Sequence, residues 1–209
     1  MKNDPAGILG IIATNVLAIA IALWQQWPLV TLLWPYWLQS VIIGWYSRKR
    51  ILALRDFSLA NTSGFDRGLP EVTKRSTASF FVMHYGTFHL VYALFLWSAT
   101  RGKVHGIAPY HVDALDLVCM AALAVSFVIT HRAAYRRMIA ADAQGRPNIG
   151  FVMFLPYLRI VPMHLTIILG VAAGHGGGVL LFGAPKTAAD ALMHWIEYRI
   201  TSRAVESPA

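Results

Sequence analysis

The sequence predicts an all-α membrane protein, a single bundle of six transmembrane helices over residues 1–209 with both termini in the cytoplasm. Three observations predict it. Mean hydropathy is +0.52 and only 13% of residues are charged, about half of the roughly 25% usual in a soluble domain. The apolar residues come in runs of about 20, the length an α-helix needs to cross a hydrocarbon core of about 30 Å. The basic residues, finally, gather in stretches that fall on one side of the spans.

The first span is read at about 7–24, "GILGIIATNVLAIAIALW", retained as a helix because further spans follow it. After a tight turn at "QQWPL", the second runs over about 29–47. A polar cytoplasmic stretch, 48–76, is too charged to insert; its start, "RKRILALRDF", continues helix two along the membrane surface with Ile51, Leu52 and Leu54 toward lipid. The third, fourth and fifth spans are read at about 77–99, 113–133 and 150–173. The sixth, about 178–200, carries Lys186, Asp190, His194 and Glu197, with Pro185 either a kink or the first residue of a shorter helix.

Six spans divide the charge unequally. Of 18 lysines and arginines, 14 fall on the side of the termini, Arg101 and Lys103 fall on the other, and Arg159 and Lys186 fall within spans. The positive-inside rule then sets the orientation and fits the bacterial inner (cytoplasmic) membrane. The net charge of +8 faces anionic headgroups, so the lipid bilayer is the expected partner and nucleic acid is not. Trp24, Trp27, Trp34, Trp37, Trp45 and Trp97 lie at or within a turn of span ends, as interfacial anchors do. The single cysteine, Cys119, allows no intrachain disulfide and reads as a packing residue.

Ionisable groups inside a span are costly, and each one suggests function. They are His84, His89, Arg159, His164, Lys186, Asp190 and His194, with the amide of Gln39; His131 lies near the cytoplasmic end of span four. Counting about 1.5 Å per residue puts Gln39, His84, Arg159 and Asp190 on the order of 10–15 Å deep, and His89, His164 and Lys186 roughly 18–21 Å deep. One polar slab drawn from four helices follows. Lys186, Asp190 and His194 recur every four residues and share a helix face. His84 and His89 lie roughly 140° apart around their helix, so Gly86 is expected to allow a bend or a close helix neighbour. Pro156 and Pro162 flank Arg159 and free carbonyls that it can satisfy.

Several chemistries suit such a centre. His84, His89, His164, Asp190 and His194 are ligand types for a transition metal such as zinc; haem between two histidines, His84 or His89 facing His164, is a variant. Charge argues against both, because Asp190 is one negative group facing the positive Arg159 and Lys186. Metal or small-ligand binding within the bundle is the leading expectation. The alternatives are a polar network of Gln39, His131, Arg159 and Lys186 with no ligand, or a small-solute or proton transporter built on the same residues. Whether the chain is an enzyme stays open. The outer-loop pair His105 and His111, with Asp113, reads as solvated.

"PYWLQSVIIG", "FFVMHYGTFHLVYALF", "LRIVPMHLTIILG" and "KTAADALMH" together resemble an uncharacterised bacterial family of six-span membrane proteins. The resemblance implies six spans, no assigned activity, and a glutamate in relatives where this chain has Gln39. "HYGTFHLVYALF" and "AADALMH" also resemble the histidine-bearing and last core helices of rhomboid proteases. The Gly-x-Ser-x-Gly-like nucleophile is absent, and Ser126 has no flanking glycines, so that likeness implies an inactive relative.

Overall fold

The structure is a computed structural model that describes residues 5–59, 69–104, 109–158, 161, 179, 183 and 185–196. Among the described residues it is all-helical: α1 (Pro5–Trp24), α2 (Leu29–Ala53), α3 (Pro70–Thr100), α4 (Ala114–Asp142), α5 (Ile149–Leu158) and a helical segment over 185–196, α6. Local chemistry sets the ends. Pro5 and Pro70 open α1 and α3 with a pre-set φ and no amide to satisfy. Asp113 and Asp116 form a reciprocal capping box at the start of α4. Gln26, at a φ of 53°, turns the chain between α1 and α2.

Among the described residues, three helical stretches are long and apolar enough to cross a membrane: Gly7–Trp24, Pro70–Thr100 and Ala114–Asp142. That is fewer than the six expected. α2 falls short because Trp, Pro, Tyr, Gln and Ser dilute its apolar residues, and Arg48, Lys49 and Arg50 crowd its last turns. α5 is apolar but described for 10 residues; the rest of spans five and six lies largely outside the described residues. Within the three long stretches only 28% of each apolar window is buried inside the bundle. Such surface belongs against acyl chains rather than water.

α2 sits at the centre, packed against α1, α3, α4 and α5. It runs parallel to α4, as pairs at a nearly constant sequence offset reveal: Trp27 with Asp116, Gln39 with His131, Arg50 with Asp142. α1 runs antiparallel to α6, since Ile19 approaches Gly183 and Asn15 bonds Asp190. The core between them holds Leu32, Tyr36, Phe81, Leu123 and Phe127, all essentially inaccessible.

Several boundaries and faces differ from expectation. α2 does continue to Ala53, but Ile51 and Leu54 point into the bundle and not to lipid. The cause is Arg50, whose guanidinium grips both carboxylate oxygens of Asp142 at 2.7 and 2.9 Å and turns that face inward. α3 starts seven residues early, because Lys74 donates to the carbonyl of Leu54 at the end of α2 and so brings the charged turn into the fold. α4 runs nine residues past 133 and carries His131 well inside the helix. Trp27 is a buried hydrogen-bond donor to Asp116, and the half-buried Trp34 and Trp37 donate to Thr100 and the His89 carbonyl. Trp24, Trp45 and Trp97 are exposed, the last two under Lys49 and Arg101, as anchors at an interface are.

Gly86 has open space where a side chain would be, so it is not the close-approach glycine. Gly44 is: a Cβ there would meet the Tyr85 ring at 2.6 Å. Tyr85 is locked in place by a hydroxyl that donates to the Ser40 carbonyl. Gly44→Ala should therefore lower stability by about 1–3 kcal/mol, the usual overpacking cost, measurable as a fall in the detergent unfolding midpoint; an unchanged midpoint would mean the ring moves freely.

Candidate functional site

The site starts from a helix repeat. Lys186, Asp190 and His194 lie on one face of α6, and all three are buried, with relative exposures of 3%, 1% and 2%. Neither charge can be left alone at such depth. Lys186 Nζ is ion-paired to Asp190 Oδ2, donates to Gln39 Oε1 on α2 at 3.1 Å and lies 5.0 Å over the face of Tyr36. Asn15 of α1 donates through Nδ2 to the same carboxylate oxygen at 3.0 Å. Three helices therefore converge on a single ion pair.

Donor logic fixes the next step. An ammonium only donates, so the Gln39 atom facing Lys186 is the amide oxygen. The amide nitrogen then points to α4, where it lies 3.4 Å from His131 Nε2. In this arrangement that imidazole nitrogen accepts and its proton resides on Nδ1. The four-helix centre is Asn15, Gln39, His131 and the Lys186–Asp190 pair.

Beside it, on the way to the basic ends of α2 and α4, lies a cavity of about 40 Å³. Its polar lining is Tyr46, Ser47 and Arg50 from α2, His131 and Tyr135 from α4, and His194 from α6. On the other side of the pair, among the described residues, Tyr36 and Phe127 lie with ring centroids 6.3 Å apart, beside the buried Leu32 and Leu123.

The sequence-predicted residues divide. Gln39, Lys186, Asp190, His194 and His131 are brought together. His84 is exposed on the outer face of α3, hydrogen-bonded to Tyr157 at 3.0 Å and stacked on Phe80. His89 is buried elsewhere, its Nδ1 on the Tyr85 carbonyl at 2.8 Å; its Nε2 is buried without a hydrogen-bond partner. The two histidines diverge because Tyr85 occupies the gap between them and points at Ser40. Arg159, His164, Glu197 and His105 lie outside the described residues; His111 is exposed.

Among the described residues, no group of three His, Cys, Asp or Glu is gathered that could hold a metal ion. The donor set explains it: the nearest carboxylate, Asp190, is neutralised by Lys186, and two of the expected imidazoles face other elements. No step through a metal or haem follows from these residues. Asn15 was missed, although it is the one amide in an otherwise apolar first span. Arg50 and Asp142 were missed because both sit in stretches that read as loop charge.

The chain was also compared with known proteins. Residues 2–207 match a family of unknown function, DUF6498. The chain belongs to that family. No curated protein and no solved structure matches it. Because the match covers nearly the whole chain, the DUF6498 unit includes both the α6 charges and the α1 amide that meets them.

Proposed function

We propose that this DUF6498 protein is a six-span protein of the bacterial cytoplasmic membrane, termini inside, that passes protons through its buried centre. Asp190 is the group that takes and releases the proton, and Lys186 is its fixed counter-charge. The observation that carries the reading is the fully buried Lys186–Asp190 pair next to a cavity that His131 and His194 help to line. An ion pair inside a bundle is often no more stabilising than apolar residues of the same size, and intramembrane acid–base pairs mark proton and ion pathways. A second reading, a polar network that only holds helices in register, is favoured by the way the Lys186–Asp190 pair links α1, α2 and α6. A flux assay separates the two. Protein in liposomes under a pH gradient should dissipate the gradient, and Asp190→Asn should abolish this while the protein still folds. Flux equal to that of empty liposomes, with the variant merely melting earlier, would establish the network instead.

A further inference from the structure

We infer that the cavity below the ion pair is the water-filled route by which a proton from the basic end reaches Asp190, with His131 coupling its arrival to Lys186 through Gln39. This rests on the proton-conducting reading above. A cavity of about 40 Å³ has room for two or three waters, since one needs roughly 10–15 Å³ of such space and two to four polar partners. Tyr46, Ser47, His131, Tyr135 and His194 supply those partners. Tyr46, Ser47 and Tyr135 are only half-buried, so the cavity meets the surface among the basic residues at the ends of α2 and α4. Toward the opposite end Leu32, Tyr36, Leu123 and Phe127 fill the core. Among the described residues, then, the space for water lies on the side of the basic ends.

Among the described residues, the groups that face the path come from four helices. α1 gives Asn15; α2 gives Tyr36, Gln39, Tyr46 and Arg50; α4 gives His131, Tyr135 and Asp142; α6 gives Lys186, Asp190 and His194. The described part of α5 adds only Val152 to the wall. Arg50 is held by Asp142 at the mouth, which leaves the imidazoles as the proton carriers. A cavity water that takes up a proton from the solvent at the basic end passes one on to His194, one helical turn from Asp190, and is left neutral. The imidazolium N–H bond then breaks as the carboxyl O–H bond forms. Asp190 becomes neutral, and Lys186 keeps its charge on Gln39 Oε1 and the Tyr36 face. Protonation of His131 at Nε2 sets a donor against the Gln39 amide donor, so Gln39 turns and loosens its hold on Lys186.

The test uses full-length protein in vesicles, with Cys119→Ala as the background. Ser47→Cys or Ala134→Cys should react with a charged, water-soluble methanethiosulfonate applied to the basic face and not to the other. The adduct should stop proton flux. His131→Gln, which accepts but does not titrate, should flatten the dependence of flux on pH. Absence of reaction from the basic face, or an adduct that leaves flux intact while Asp190→Asn abolishes it, overturns the route. An unaltered pH profile in His131→Gln overturns the role of His131. Unchanged flux in Asp190→Asn overturns the proton-conducting reading itself.

Discussion

Asp190→Ala should lower the stability of the folded protein in detergent by about 3–5 kcal/mol, because it removes the carboxylate paired with the buried Lys186 ammonium. The ammonium is 3% exposed and keeps the Gln39 oxygen and the Tyr36 ring, neither of which carries a charge. It also strands the Asn15 amide, a buried donor worth about 1–3 kcal/mol when unsatisfied. The double replacement Lys186→Met with Asp190→Leu removes both charges at similar volume and should recover most of the loss. Denaturant titration followed by tryptophan fluorescence reads both. A loss within about 0.5 kcal/mol for Asp190→Ala, the range of ordinary surface changes, would mean that the pair is hydrated. That result would also remove the physical basis for a dry charged centre.

The second large effect belongs to Arg50 and Asp142. Both side chains are almost fully buried, at 6% and 4% exposure, and the guanidinium meets the carboxylate as a two-pronged fork. Asp142→Ala leaves an arginine that cannot lose its charge, at a cost of about 3–5 kcal/mol. Arg50→Lys is not conservative, since a point charge cannot make two parallel bonds. Amide exchange should localise the damage: residues 132–142 of α4, which run beyond the expected span end, should exchange faster in either variant. Protection unchanged there would mean that packing by Ala134 and Met138, not the ion pair, holds the helix.

The run of apolar residues in α1, α3 and α4 was legible because hydropathy and length are properties of a segment, and a bilayer tests each segment on its own. The repeat of Lys186, Asp190 and His194 was legible for the same reason: helix geometry alone puts them on one face. What the sequence could not supply was the partner on another helix. His84 and Asp190 were read at one depth, yet depth says nothing of rotation about the helix axis. Tyr85, anchored on Ser40 and Gly44, decides that rotation and sends His84 to the outside. Arg50 and Asp142 looked like loop charges because, taken singly, each favours water.

By itself, then, the chain determined its helical class, its long apolar stretches and the spacing of its α6 charges. Those follow from backbone hydrogen bonding and from transfer of side chains out of water, residue by residue. Only tertiary structure decided that Asn15, Gln39 and His131 surround one ion pair while His84 and His89 do not, and that a small cavity opens beside His131 and His194. The physical reason is that a buried charge is tolerated only where a particular neighbour satisfies it, and that neighbour is chosen by how helices rotate and slide against each other.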